Sequence, residues 1–218
     1  MVESQTIQID RLERRGIIRV NRPGKANALN SEMLNALIEN LARLGADETI
    51  HAVLVTGAGE RVFCGGADLS EPETMSNSEL WKNLVHTFIA LPVPSFALIN
   101  GACIGGGLTL ALGCDIRIGV PESIFGYPVL RNQILPGEDE MKRLRQIMGV
   151  GAGSKLLLAG KRVSSEEALS SGLLTEIVHP DALLETGMTL SAAACESTRD
   201  HVIKLKSQFL WSKGRSPL

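Results

Sequence analysis

Apolar residues recur at helical spacing in some stretches of this chain and run unbroken in others, and the alternation of the two patterns lays out its elements. Leu34, Leu37, Ile38 and Leu41 lie three or four positions apart, which predicts a helix over 31–43 with Asn30 placed to cap it. AVLVTG (52–57) and SFALIN (95–100) are short continuous apolar runs, as expected of strands covered on both faces. Leu80, Leu84, Val85, Phe88 and Ile89 predict a second helix over 78–91. Residues 5–12 and 17–20 read as two strands of a hairpin around Arg14–Gly16. GGGLTLALGCDIRIG predicts a buried helix over 106–112, then a strand at 115–119, with a further short strand over 123–127.

The last third changes character. Helices are expected at 139–148, 151–159, 165–171, 182–194 and 199–211, broken by one strand at 173–178, and Ser164 with Glu167 forms a capping box. Strand–helix–strand units followed by a helical tail indicate an α/β fold with largely parallel strands.

Composition narrows the field of functions. The 218 residues carry 22 Lys+Arg against 24 Asp+Glu, a net charge of −2, with 44% apolar and 21% charged residues. That balance belongs to a soluble globular chain and offers no basic surface for nucleic acid or an anionic membrane. Two Trp, one Tyr and five Phe are also too few for base-stacking platforms. Cys64, Cys103, Cys114 and Cys195 form no CxxC pair and no metal-like spacing with the four His, so neither a metal nor a disulfide is expected. The polar, acidic N-terminal segment resembles neither a signal nor a transit peptide, and no apolar run approaches the ~18 residues of a membrane span. A cytoplasmic location is the expectation.

The 22 glycines carry the chemistry. Two Gly-rich loops stand out: RVFCGGADLS (61–70), after a buried strand, and INGACIGGGLTLALGCDI (99–116), where a strand runs through glycines into a helix. Glycines at such a joint permit close backbone approach, and they leave the first N–H groups of the helix without intrahelical partners at the positive end of its dipole. An anion or a developing oxyanion suits such a place, and so does a tight packing turn with no ligand at all. Neither loop has the spacing of a phosphate-binding loop or a dinucleotide fingerprint.

NRPGKANALN, AVLVTGAGERVFCGGADLS, NGACIGGGLTLALGCDIRI, FGYP, PGEDEMKRL and GLLTEIV, in this order and spacing, resemble the crotonase (enoyl-CoA hydratase/isomerase) family over roughly residues 5–206. The resemblance implies a spiral of repeated ββα units over 1–180, followed within the same domain by a C-terminal helical region over 181–218 that is shorter than the family's habit. It implies an acyl-CoA thioester as ligand, coenzyme A being part of the substrate and no further cofactor needed. The family's oxyanion hole falls by motif on the N–H groups of Ala67 and Gly106, flanked by Gly66 and Gly105. Lys25, Ala26, Asp68 and Leu69 resemble the wall for adenine and the pantetheine arm, and Tyr127, beside the FGYP strand, is either a donor to a substrate oxygen or a core residue with a satisfied hydroxyl. Homotrimers or hexamers built from two trimers are the family's habit.

The resemblance also implies a departure. The two glutamates of family hydratases fall where this chain has Thr109 and Val129, so the usual addition of water to an enoyl-CoA is not expected. A lyase, isomerase or hydrolase reaction through a thioester enolate is, and a silent acyl-CoA-binding protein is the alternative. Of the acids in PGEDE, Glu138, directly after the glycine, is chosen over Asp139 and Glu140, although acids also suit a helix start on their own account. His86 is either a second base or a packed helix histidine.

Overall fold

The computed structural model describes residues 6–210 apart from 72–73 and 75–77. A hairpin of β1 (Ile7–Leu12) and β2 (Arg15–Val20) opens the chain, and α1 (Ser31–Ala46) follows, with the Asn30 side chain accepting the Met33 N–H at 2.9 Å as its cap. The next elements repeat one unit. β3 (Ala52–Gly57) and β4 (Val62–Cys64) lead to α2 (Ser78–Ala90); β5 (Ser95–Ile99) and β6 (Ala102–Ile104) lead to α3 (Gly106–Gly113). β7 (Ile116–Gly119) and β8 (Ile124–Gly126) lead to the one-turn α4 (Val129–Asn132).

The first strand of every pair joins one sheet and the second joins another. β1-β2-β3-β5-β7 continue to β10 (Glu176–Ile177) in a six-stranded sheet that is parallel from β2 onward. β4-β6-β8 continue to β9 (Val163–Ser164), which pairs antiparallel, in a sheet of four. This is the repeated ββα spiral implied by the family motifs.

The two apolar runs are strands covered on both sides, as their sequence requires. One face of the large sheet packs on the main core, where Leu34, Leu37, Phe63, Phe88, Leu108 and Phe125 are fully buried. The other face, with Ile17, Leu54, Phe96, Leu98 and Ile118, lies under α7 (Leu183–Leu190) and α8 (Ala192–Glu196), which α9 (Arg199–Leu210) follows. Every residue of α3 from Gly107 to Gly113 is buried, so this helix has no polar stripe: it runs through the interior rather than over it.

Several boundaries differ from the sequence pattern. β4 and β6 fall inside the stretches read as glycine loops, because strands of three residues between glycines carry no periodicity. The strand expected at 173–178 is reduced to Glu176–Ile177. Helix α5 spans Glu138–Leu157 with Gly149 at φ +71° inside it, so the break expected between 148 and 151 is present as a kink. α6 (Ser165–Ser170) carries the expected Ser164–Glu167 capping box. The helix expected at 182–194 divides at Ser191, whose hydroxyl donates to Gly187 O (2.8 Å) and accepts from the buried Arg15 Nε (2.7 Å). Residue 211 of the last expected helix and the segment after it lie outside the described residues. Among the described residues no helix is long and apolar enough to cross a membrane, and no group of His, Cys, Asp and Glu could hold a metal ion.

Candidate functional site

β4 delivers the first glycine loop alongside the residues that precede α1. Gly65 N–H donates to Ala26 O (2.9 Å), Leu29 N–H to Gly66 O (2.8 Å) and Asp68 N–H to Leu29 O (2.8 Å), so Ala67 stands opposite Leu29 in a parallel bridge. In such a bridge Leu29 bonds to the residues on either side of Ala67, which turns the N–H of Ala67 itself away. Gly66 makes the turn with φ +106°, a conformation an L side chain resists.

β6 delivers the second loop. Gly105, at φ +55°, donates its N–H to Gly126 O (2.8 Å) and accepts from Leu108 N–H (2.8 Å) and Thr109 N–H (3.2 Å). α3 therefore starts at Gly106 without a side-chain cap, and the helix dipole adds to the positive potential at its first N–H. Among the described residues neither Ala67 N–H nor Gly106 N–H has an acceptor.

The loops touch. A Cβ placed on Gly66 would sit 3.2 Å from Gly106 N and 3.0 Å from Ile104 O. A third element closes over the contact: a Cβ on Gly106 would fall 2.2 Å from Cη2 of Trp81, whose Nε1 donates to Thr74 O at 2.9 Å. The sequence pattern places Trp81 on α2 but gives no signal of this role.

Residues expected to form the substrate wall separate into two groups. Lys25 and Ala26, in a 3₁₀ turn over Pro23–Lys25 and its cap, and Leu69 at 72% exposure are open to solvent. Asp68 is buried and committed to its own loop. It accepts from Ser70 N–H (2.9 Å) and Oγ (2.6 Å) and pairs with Arg22, and these bonds, those to Ser70 first, hold its carboxyl well below the usual carboxylate range. Asn27, also buried, ties the turn down by donating to Ala58 O (2.9 Å) and Val62 O (2.7 Å).

Thr109 and Val129, the positions at which the family's glutamates were expected, are both buried. Thr109 lies one turn into α3, and its hydroxyl is 3.2 Å from Tyr127 OH. The Tyr127 hydroxyl in turn donates to Oε1 of Glu140. Glu140 is only 5% exposed and, among the described residues, pairs with no cation. Burial pushes its carboxyl pKa up, against the opposing hydrogen bonds from Thr109, Tyr127 and Gly137 N–H. Burial and the neighbouring carboxylate hold the Tyr127 phenol well above its ordinary value, so it stays protonated.

The acids of PGEDE thus occupy three environments within one helical turn. Glu138, the residue chosen from sequence, is exposed; Asp139 is half-buried and bonded to His86 Nε2 at 2.6 Å; Glu140 faces the interior. His86 accordingly holds α2 to α5 through Asp139 instead of packing against apolar neighbours alone. The burial of Glu140 was not legible because the spacing of three consecutive acids does not reveal which one faces inward. Its apolar companion on the same face, Leu144 four residues later, was the available signal.

The far end of α3 is crowded with cations. Arg117, almost wholly buried, donates to Leu173 O (2.8 Å), Cys114 O (2.7 Å) and Asp115 O (3.2 Å), and burial lowers its pKa to about 10. Arg143 donates to Leu112 O (2.5 Å) and Cys114 O (2.9 Å). Lys206 of α9 reaches Asp115 Oδ2 (2.7 Å) and Val93 O (2.8 Å).

Known proteins resemble this chain in sequence and fold. The family model for enoyl-CoA hydratase/isomerase matches residues 15–213. A putative enoyl-CoA hydratase/isomerase of Bacillus subtilis is 34% identical over 208 residues, covering 93% of this chain and 79% of its own length. A short-chain-enoyl-CoA hydratase of Clostridium acetobutylicum is 33% identical over 206 residues, covering 90% and 78%. The crystal structure of an enoyl-CoA hydratase from Bacillus anthracis superposes with a TM-score of 0.90 at 29% identity, over 97% of this chain and 85% of that one. Its sequence over nearly the whole chain and its two-sheet spiral make this protein a member of the enoyl-CoA hydratase/isomerase family, with the crotonase fold.

Proposed function

We propose that the protein binds an acyl-CoA thioester with the thioester carbonyl oxygen between Ala67 N–H and Gly106 N–H, and that it stabilises the enolate formed when a bond next to that carbonyl breaks. One observation carries this reading: two backbone donors that have no acceptor among the described residues, on loops in van der Waals contact, one of them at the start of a buried helix. A ground-state carbonyl accepts weakly, whereas an enolate oxygen carries most of a negative charge. Donors fixed in advance therefore favour the transition state over the substrate. Exposed Lys25, Ala26 and Leu69 flank the first loop, where the pantetheine arm and nucleotide of coenzyme A would leave the site.

The reaction we propose is a proton-transfer isomerisation, or a lyase or hydrolase step through the same enolate. The positions of Thr109 and Val129 offer no carboxylate pair to deliver water. Hydration of crotonyl-CoA is accordingly expected about a thousandfold below that of a two-glutamate hydratase, within the 10²–10⁴ range of general acid–base catalysis. Isothermal titration calorimetry with acetyl-CoA and crotonyl-CoA tests the binding: saturable heat in the micromolar to millimolar range is expected, and no heat at millimolar ligand overturns the reading. Crotonyl-CoA hydration at a normal hydratase rate overturns the choice of reaction.

A further inference from the structure

The acyl-CoA reading leaves the proton unassigned, and one buried carboxyl, that of Glu140, is linked through the Tyr127 hydroxyl to Thr109 on the helix that Gly106 starts. We infer that Glu140 is the acid–base group of this site, with the Tyr127 hydroxyl hydrogen-bonded to it and the Thr109 hydroxyl beside both. The inference rests on the proposed acyl-CoA function and deepens it.

Three structural facts support the assignment. First, the cluster is built from the elements that frame the N–H pair. Thr109 is three residues beyond Gly106 on α3, about 4.5 Å along the axis. Tyr127 follows Gly126, whose carbonyl holds the Gly105 N–H at 2.8 Å, and the next residue, Pro128, is in contact range of a Cβ on Gly105 (3.9 Å to Cδ).

Second, the carboxyl lacks the partner a structural buried acid ordinarily has. A buried carboxylate is stabilised by a cation or several N–H donors, yet Glu140 meets two hydroxyls and one backbone N–H. The charged groups nearby are engaged elsewhere: Asp139 on the same turn bonds His86 of α2, and Arg143, one turn along α5, donates to Leu112 O and Cys114 O at the opposite end of α3. Glu138 points to solvent. Third, the environment raises the carboxyl's proton affinity while leaving the phenol protonated, which suits a base that must also return its proton.

The step balances without any outside reagent. A C–H bond α to the thioester breaks, its electron pair moves to the carbonyl oxygen held by Ala67 and Gly106, and the proton goes to Glu140 Oε. Collapse of the enolate onto the γ-carbon takes the same proton back, so a 3-enoyl-CoA becomes a 2-enoyl-CoA with no net change in composition. With a saturated acyl-CoA the same proton exchanges with solvent and no product forms.

Butyryl-CoA in D₂O, followed by mass spectrometry for deuterium at the α-carbon, and trans-3-hexenoyl-CoA, followed for its conversion to the 2-enoyl-CoA, test the assignment without knowledge of the natural acyl group. Wild type is expected to incorporate deuterium into butyryl-CoA and to isomerise the hexenoyl-CoA. Glu140→Gln, nearly isosteric, is expected to lose at least a hundredfold in both rates with acyl-CoA affinity changed less than threefold. Glu140→Asp keeps the charge but withdraws it by one methylene. It is expected to retain partial exchange with a displaced pH profile, and it carries the test should the Gln variant fail to fold. Exchange within threefold of wild type in Glu140→Gln, or a loss confined to Glu138→Gln, overturns the role of Glu140 and leaves the acyl-CoA reading standing. Binding of acyl-CoA without exchange in wild type overturns enolate chemistry and the role of Glu140 together.

Discussion

The two ends of α3 are treated oppositely by the fold. Its N-terminus, at Gly106, is left without a side-chain cap where the loop of Gly66 meets it, and among the described residues its first N–H has no acceptor. At its C-terminus Leu112 O accepts from Arg143, while Cys114 O, just past the helix, accepts from both Arg117 and Arg143. The negative end of the dipole is thus satisfied by guanidinium groups, and the positive end is available to a ligand. A helix buried on every side tolerates unsatisfied N–H groups at one end only if the rest of its surroundings hold it rigidly. The arginines and the burial of α3 from Gly107 to Gly113 are that support.

Breaking the capped end should cost stability first. Arg117→Met leaves Leu173 O and Asp115 O without the guanidinium and Cys114 O with Arg143 as its remaining donor. Removing one member of a buried charge-assisted network costs about 3–5 kcal/mol, so the urea midpoint should fall steeply. If the midpoint barely moves, the cations are ornaments and the contrast between the ends is false.

Breaking the open end should cost activity instead. Gly66→Ala places a Cβ 3.0 Å from Ile104 O and 3.2 Å from Gly106 N on a backbone at φ +106°. The loop must shift, and the Ala67 N–H shifts with it. Loss of one such donor is worth about 2.7–4 kcal/mol, so α-proton exchange or turnover should fall a hundredfold or more. Stability should fall by about 1–2 kcal/mol, within the range for a strained backbone. Activity kept within a few-fold would remove Ala67 from the site.

A weaker perturbation sharpens the comparison. Arg143→Gln removes one donor from the capped end while Arg117 still covers Cys114 O, so a loss of about 1–2 kcal/mol is expected in chemical denaturation, smaller than at Arg117. An equal loss at both positions would mean that the arginines act as independent surface ties and not as a graded cap.

How much of this was legible in sequence depends on the length scale of each signal. AVLVTG and SFALIN were readable because an unbroken apolar run reports a strand buried on both faces, and β3 and β5 fall on them. The glycine loops were readable as tight turns, since positive φ at Gly66 and Gly105 is a demand only glycine meets easily. β4 and β6 were not, because three residues are too short to show alternation. Which acid is buried was not legible for a related reason: Glu138, Asp139 and Glu140 differ by 100° steps around one helix, and the register that turns Glu140 inward is set by packing of α5 on α3. Nor does sequence reveal that Trp81, distant along the chain, lies against Gly106.

The smallest expected effect concerns the cost of keeping Glu140 where it is. Burial raises the proton affinity of its carboxyl in the folded state above that in the unfolded chain. Between the unfolded pKa and the higher folded one, the native state therefore binds more protons than the unfolded state, and stability falls as pH rises through that window. The contribution is intact below the unfolded pKa and is lost above the folded one. Gln does not titrate, so Glu140→Gln should abolish this slope: thermal melts should show the variant gaining on wild type as pH goes from 4 to 8. A residue selected for stability alone would show the reverse, with the variant losing ground at high pH. A Gln variant that becomes relatively more stable while losing proton exchange would place Glu140 with the open end of α3, as a group retained against the interest of the fold.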